Sequence, residues 1–328
     1  MTRHVTKDRS SEVPELYIVI VNWNNSSDTI ECISSLFEEG YKKRIVLVDN
    51  GSTDGSIDNI SAWAGSNNID LQILNAEEAL AGRDDFVVTI ISSPVNLGFA
   101  GANNLGIRYS IVQGAEFVLL LNNDTVVEKD VLSGMVRTVM STKDTGIVGG
   151  KIRYYDNREK VWFSGGYIST VRGAFYHKED DCDGIRETEF VTGCMMLIPA
   201  DVIEKVGYLK EDYFLNIEDI DYSTRVRNAG LKMIVDCSVT IYHKYSATIG
   251  GRYSKMNQYY FHRNRMIYFS SNLDDLNKYI FYLFQFFFAI PVWLVVQLVK
   301  GRMQAIKGAI LGYLDFFKGR KGKCLHTI

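Results

Sequence analysis

Three apolar runs, each ending in polar residues, constrain this chain more than any other feature in it. Residues 17–23 (YIVIVNW), 44–50 (RIVLVDN) and 117–124 (FVLLLNND) are nearly unbroken in Val, Ile and Leu, the pattern of strands covered on both faces. Segments of helical periodicity separate them. Residues 27–39 put Ile30, Ile33, Leu36 and Phe37 on one face, residues 56–63 make a second helix with Asp54 or Ser56 near its cap, and residues 101–110 make a third. Residues 86–91 add another strand, so strands and helices alternate and imply a largely parallel sheet. Such sheets bind ligands beyond the carboxyl ends of their strands. Those ends carry Asn22, then Asp49 and Asn50, then Asn122, Asn123 and Asp124, and the remaining strand reaches Asn96 a few residues later. This repetition is the first sign of a site.

Composition narrows the class. With 328 residues, 46% hydrophobic and 23% charged, the chain makes one large domain or two ordinary ones and is not disordered. A net charge of -3 sets it apart from nucleic-acid-binding domains, which are strongly basic. That total conceals an asymmetry: residues 300–328 carry seven Lys/Arg against Asp315 alone, net +6, leaving -9 for residues 1–299. The five cysteines are widely spaced, without CxxC or zinc-like pairing, and read as those of a reducing compartment. Residues 1–14 have no apolar run and read as a mobile arm rather than a secretory leader. Beyond residue 150 the alternation loosens into short strands and Gly-rich turns. Residues 190–207 read as strand, turn and helix, with Pro199 at the helix start and Gly207 at its end. Residues 216–230 read as a loop and an amphipathic helix stopped by Gly230.

Several clusters could carry chemistry, and each has a plainer reading. In VDNGSTDGS, Asp49 could accept a hydrogen bond from a base or ribose, or the segment could be an ordinary turn capped by Asp54 and Ser56. No GxGxxG follows the first strand, which argues against a dinucleotide-dependent dehydrogenase. NLGFAGANN (96–104) offers Gly98 and Gly101 for close backbone approach and a helix N-terminus for a diphosphate, or it is an Asn/Gly turn. In LLLNNDT a carboxylate beside an apolar strand is costly unless paired or metal-bound, and Asp124 suits a hard divalent cation shared with phosphates; Asp124 or Thr125 could equally cap a helix. IEDID gathers Glu218, Asp219 and Asp221, enough for a general base or simply for an acidic helix start. His243, ending VTIYH, is a metal ligand or a structural histidine. A nucleophilic triad lacks its G-x-S-x-G elbow.

Taken in order, VNWNN, VDNGSTDGS, NLGFAGANN, LLLNND, TGCMMLI, NIEDIDYSTR and YHKYSATIGG resemble the family 2 glycosyltransferases, and within them the bacterial rhamnosyltransferase-like branch that builds surface polysaccharides. The resemblance runs from about Leu16 to Arg265. It implies an α/β GT-A fold with a mostly parallel, Rossmann-like central sheet, and inverting, non-processive transfer from a nucleotide-diphosphate sugar. It assigns Asn22, Asp49, Asn50, Asn96, Gly98, Asn104 and Asn123 to the nucleotide side. Asp124 matches the last acid of the metal-binding DxD motif, here NND with Asn122 in place of the first acid, and His243 matches a histidine that completes the metal or diphosphate site in some relatives. The implied cofactor is a divalent cation, Mg2+ or Mn2+. Asp219 matches the catalytic base, Glu218 its orienting neighbour, and Thr192 and Gly193, with Asp221, the acceptor side. The implied donor is dTDP-rhamnose or a UDP-sugar, and the acceptor a lipid-linked or growing polysaccharide. The competing reading is a catalytically inactive, membrane-associated glycan-binding scaffold of the same fold.

Residues 279–299 are 21 residues without a formal charge, bounded by Lys278 and Lys300, interrupted by Gln285, Pro291 and Gln297, and followed by the basic tail. A span of this length crosses a bilayer, yet it would put the tail and the catalytic body on opposite sides, although nucleotide sugars and basic flanks both belong to the cytoplasmic face. The expectation is a monotopic, kinked or re-entrant helix and an amphipathic segment, 304–317, at the inner face of the cell membrane, with Lys/Arg on headgroups. A buried helix at a homodimer interface is the alternative. Arg263 and Arg265, in YYFHRNR, would meet the acceptor's lipid diphosphate or pair with the acidic body. The domain reading is an arm at 1–14, a GT-A domain at 15–270 (nucleotide-sugar half 15–125, acceptor half 126–270) and a membrane-associating segment at 271–328.

Overall fold

The apolar runs form strands where they were expected, and their helices return each one parallel to the last. In this computed structural model, which describes residues 14–81, 85–244 and 251–327, the first half runs β1 (Leu16–Asn22), α1 (Ser26–Glu38), β2 (Ile45–Asn50), α2 (Ser56–Ser66), β3 (Leu71–Asn75), β4 (Val88–Ser93), α3 (Gly98–Val112) and β5 (Phe117–Asn122). The order β3-β4-β2-β1-β5 is parallel throughout. Ile18, Val19, Ile20, Val48, Ile90 and Leu120 are all fully buried, as two-sided helix cover requires. Two details differ from the sequence reading. β3 was not anticipated, because LQILN lies at the sheet edge, half-buried, and shows no continuous apolar run. α3 begins at Gly98 rather than Gly101, because Asn96 Oδ1 accepts the Gly98 N–H (2.8 Å) and closes the turn immediately before it.

The second half continues with β6 (Thr125–Val127), α4 (Val131–Ser141), β7 (Thr145–Tyr154), β8 (Val161–Phe163), β9 (Gly166–Ser169), β10 (Ala174–His177), β11 (Ile185–Thr188), β12 (Met195–Pro199), α5 (Ala200–Val206), α6 (Glu218–Asn228) and β13 (Lys232–His243). The sheet extends through it as β5-β12-β7-β13-β11, with β12 antiparallel to both neighbours and β13 parallel to β7. Pro199 and Gly207 bound α5 as expected. The segment 245–250 of the YHKYSATIGG motif and residues 1–13 of the N-terminal arm lie outside the described residues. Cys182 and Cys237 are joined in a disulfide, a pairing that the wide spacing of the cysteines did not suggest, while Cys32, Cys194 and Cys324 are free thiols. The two are 55 residues apart, and only the β11–β13 pairing, with Cys237 N–H donating to Gly184 O, brings them together.

The C-terminal segment is a helical layer on the body. α7 (Lys255–Asn272) is followed by α8 (Asp275–Phe284), a π-helical turn (Gln285–Ala289), α9 (Ile290–Val299) and α10 (Met303–Phe317). From α8 to α9 the helix is continuous over 25 residues, about 37 Å at 1.5 Å per residue. Phe281, Gln285, Trp293 and Gln297, spaced by four, eight and four residues, fall on its inner face. Phe281 stacks near Phe269 (5.0 Å between rings), Gln285 accepts from Arg265 (2.7 Å) and donates to Arg172 O (2.9 Å), and Trp293 meets His262 edge-on (4.5 Å). The two glutamines that interrupt the apolar run are therefore buried against the body, at 0% and 4% exposure. Their spacing from Phe281 put them on that face. The opposite face is open: Phe287 is 69% exposed, Phe288 63% and Val299 83%.

α10 returns to α7 at very short range, because Gly308 and Gly312 lie against the backbone of Lys255 and Tyr259. Part of the basic tail is also turned inward, contrary to its expected place on lipid headgroups. Arg320 pairs with Asp315 (3.0 Å), Lys321 with Asp212 (2.9 Å), and Gly322 N–H donates to Asp212 O (2.6 Å). Gly312→Val would place a Cβ 2.5 Å from Tyr259 O. It should cost about 1–3 kcal/mol in denaturant-unfolding experiments, whereas Gly65→Ala, inside α2 with open space and no positive φ, should lose far less.

Candidate active site

Parallel register delivers the polar strand ends to one edge. Asn22 faces Asp49 across β1–β2, and Val21 faces Asn122 across β1–β5. Asn22 Nδ2 donates to Asp49 Oδ1 (2.9 Å) and to Ser52 Oγ (3.1 Å), while Asp49 Oδ2 accepts from Ser52 N–H (3.1 Å). Asn123 Nδ2 donates to Thr29 Oγ1 (2.9 Å), which donates to Asn22 Oδ1 (2.8 Å). One hydrogen-bonded string thus ties β5, α1, β1 and β2. Beside it, Asn50 Nδ2 donates to Asn96 Oδ1 (3.2 Å), and Asn50 Oδ1 accepts from Leu97 N–H (2.7 Å), which fixes the turn into α3.

Pairing of β6 with β13 sets His243 opposite Thr125 and brings its Nε2 3.1 Å from Asp124 Oδ1. Both side chains are buried. Among the described residues no group of three or more His, Cys, Asp or Glu gathers to hold a metal. One carboxylate and one imidazole form a mixed oxygen and nitrogen donor pair that suits a divalent ion sharing its remaining positions with a phosphate-bearing ligand. The Trp162 ring lies edge-on to both His243 (4.8 Å) and His177 (4.9 Å).

The carboxylate pair sits on a strained turn. Phe214, Asn216 and Ile217 have φ of 62°, 68° and 78°, and a β-branched residue there is a genuine outlier. Ile217 is the N-cap of α6, so Glu218 and Asp219 are its first residues. Asp219 Oδ2 accepts from Gly193 N–H (2.9 Å), Oδ1 from Ile220 N–H (2.8 Å), and the Thr192 hydroxyl also bonds the carboxylate. Gly193 precedes β12, whose neighbour β5 donates from Asn122 N–H to Cys194 O (3.0 Å). Cys194 feels the charge of both Asp124 and Asp219, so the two acids flank it. Burial raises both carboxyls of the pair. Glu218, buried and beside the Asp219 charge, is pushed up to about 8, and its Oε2 has no partner among the described residues. Donors converge on Asp219 and none on that Glu218 oxygen, so the shared proton resides on Glu218 and Asp219 is the ionised member.

Against this geometry the sequence comparisons are decisive. The family model described as Glycosyl transferase family 2 matches residues 17–207, and that described as Glycosyl transferase family group 2 matches residues 117–314. The chain belongs to glycosyltransferase family 2. Its relatives include the low-salt glycan biosynthesis hexosyltransferase Agl10 of Haloferax volcanii, 25% identical over 97% of this chain and 95% of that protein. The dTDP-rhamnosyl transferase RfbF of Shigella flexneri is 23% identical over 69% of this chain and 77% of its own. The mannosyltransferase PcManGT of Pyrobaculum calidifontis, solved with GDP-Man and Mn2+, has a TM-score of 0.57 at 13% identity over 93% of this chain and 88% of that one. GalNAc-T7, solved with UDP, GalNAc and Mn2+, has a TM-score of 0.54 at 13% identity; the match covers 70% of this chain and 42% of that chain. The GT-A fold is thereby shown.

Four residues expected at the transferase's site are used elsewhere. Asn104 spends its amide on Leu209 N–H and O and on Glu211 (2.9–3.0 Å). Asp221 is 1% exposed, bonded to Lys210, Arg225 and Tyr213. Arg263 is 0% exposed and donates to backbone carbonyls and a tyrosine, so it is walled off from any lipid diphosphate, and Arg265 holds Gln285 and Tyr313. Thr29, Ser52, Trp162 and Lys244 were overlooked. Thr29 could have been found four residues after the cap Asn25, on the same helix face, and Lys244, which pairs with Asp28 and Glu31, from its place beside His243.

Between pH 4.5 and about 8 the folded family 2 chain holds a proton on the Glu218–Asp219 pair that the unfolded chain has released. Stability should therefore fall as pH rises through that window. Thermal melts of Glu218→Gln, which cannot ionise there, should lose this part of the slope and gain on wild type as pH approaches 8.

Proposed function

We propose that this family 2 glycosyltransferase is an inverting, non-processive enzyme that moves a sugar, favoured to be rhamnose from dTDP-rhamnose, onto a hydroxyl of a lipid-linked or growing polysaccharide at the cytoplasmic face of the membrane. The observation that carries the reaction is Asp219, oriented by Gly193, Ile220 and Thr192 and paired with a protonated Glu218, alongside the strand end that presents Asp124. Asp219 takes the proton from the acceptor hydroxyl as that oxygen bonds to the anomeric carbon; the bond to the diphosphate breaks, and its electron pair leaves with the nucleoside diphosphate. General-base assistance of this kind is worth roughly 10²–10⁴-fold. Asp49, with Asn22 and Ser52 around it, would receive the base or ribose, and the Asn96–Gly98 turn at the start of α3 would face the diphosphate. Asp124 and His243 would hold a divalent cation, Mg2+ or Mn2+, which would supply positive charge against the leaving diphosphate. The rhamnose assignment is supported by the name of the Shigella relative.

The membrane assignment is supported by the open face of α8–α9, where Leu276, Tyr279, Phe287, Phe288, Val292 and Val299 are all more than half exposed. Lys300, which follows α9, and Lys307 and Lys318 further along the chain are also exposed, a charge complementary to anionic headgroups. Packing of the inner face on α7 makes this helix lie along the body rather than cross a bilayer alone.

Asp219→Asn should abolish sugar transfer while nucleotide affinity stays within about twofold of wild type; transfer at the wild-type rate would remove the base assignment. Wild-type protein should float with phosphatidylcholine/phosphatidylglycerol vesicles in high salt, and Phe287→Asp with Phe288→Asp should not. Release of wild type by salt alone, or burial of the face in a stable dimer without vesicle binding, would overturn the lipid reading.

A further inference from the structure

The strained turn ahead of Glu218 is held from outside the site. Asn264, 0% exposed on α7, donates its amide to three successive stations of that turn: Tyr213 O (2.8 Å), Leu215 O (2.8 Å) and Asn216 O (3.0 Å). Its own orientation is fixed by Arg263 Nε, which donates to Asn264 Oδ1 (3.0 Å) and so leaves only the NH2 group to face the turn. Arg263 adds Nη2 to Tyr213 O (3.2 Å) and Asp212 O (3.4 Å), and Nη1 to Gly322 O (2.8 Å) and the Tyr259 hydroxyl (3.1 Å). The Tyr259 hydroxyl donates in turn to Asp315 Oδ2 of α10 (2.7 Å), so the buried guanidinium is answered by a carboxylate through one hydroxyl. A buried charge is tolerated only with such compensation.

We propose that Arg263 and Asn264 are positioning residues for transfer: they hold the turn 213–217, in which Phe214, Asn216 and Ile217 have positive φ, so that Asp219 reaches Gly193, and α10, through Asp315 and Tyr259, keeps them in place. The inference rests on the reading of Asp219 as the base. Phe214 O accepts from Phe99 N–H (2.7 Å) at the start of α3, and Gly98, φ +75°, lies so close to Phe214 that any Cβ would collide with it. The same turn therefore touches the donor side, and a shift of it displaces the base relative to the sugar. A misplacement of about 1 Å costs on the order of 10²-fold in rate.

Asn264→Asp preserves shape and removes the donor. In the full-length protein its kcat should fall about 10- to 100-fold while the donor KM and the affinity for nucleoside diphosphate stay within about twofold. Tyr259→Phe, which keeps the ring and severs the link to Asp315, should lower kcat several-fold with the same unchanged KM, and serves if Asn264→Asp does not fold. Asp219→Asn is measured in parallel. If Asp219→Asn retains turnover, the base assignment fails, and the positioning role with it. If Asp219→Asn is dead yet a folded Asn264→Asp or Tyr259→Phe turns over at the wild-type kcat, the base stands and the positioning role is overturned. Parallel losses of kcat, nucleotide affinity and melting temperature would also overturn it, since they mark a purely structural contact.

Discussion

The register of β1 between β2 and β5 is the constraint on which the rest depends. Parallel strands covered on both faces cannot end in apolar residues without exposing them, and they end at similar levels, so their first polar residues converge. Asn22 opposite Asp49, and Val21 opposite Asn122, follow directly from this pairing. A one-residue slip would turn the core-facing set of β1 to the other face. The string from Asn123 through Thr29 to Asn22 and Asp49 then satisfies groups that burial would otherwise penalise. The cluster of polar side chains at this edge is thus a by-product of closing the sheet.

The other half of the sheet is built differently, because β12 runs antiparallel between β5 and β7. Its start, rather than its end, lies at the carboxyl edge, and it presents a backbone N–H at Gly193 where a parallel strand would present a side chain. That N–H gives Asp219 an anion-stabilising partner, whereas Glu218 is left with an unanswered oxygen. Two adjacent carboxyls in one buried turn are thereby driven to different protonation states by the donors each one meets.

Much of this was legible in the sequence, and what escaped shares a physical cause. The apolar runs, their polar ends, the caps of α5 and α6 and the NIEDID turn are local patterns, so the alternating sheet and the separate site motifs could be read directly. β3 escaped because an edge strand is only half-buried, and the Cys182–Cys237 bond because its closeness comes from β11–β13 pairing. Asn104, Asp221 and Arg263 look like ligand residues by type, but type does not reveal what a side chain faces after folding. The fully buried Arg263 was the least predictable, since a guanidinium inside a protein is tolerated only where carbonyls and a relayed carboxylate gather around it.

The C-terminal layer brings these threads together. Residues 279–299 are long enough to span a bilayer, yet Phe281, Gln285 and Trp293, spaced by four and eight residues, face α7, and the chain then turns back through α10 onto that same helix. Both ends of the apolar helix are therefore fastened to the catalytic body, and a crossing would require α7 and α10 to part. The contacts that would have to break include Tyr259–Asp315 and Tyr313 with His262 and Arg265. Those contacts neighbour Arg263 and Asn264, which grip the turn carrying Glu218 and Asp219. The inner face of α8–α9 and the turn that carries Glu218 and Asp219 are thus both fastened to α7, so the open apolar face and the carboxylate pair draw on the same packing.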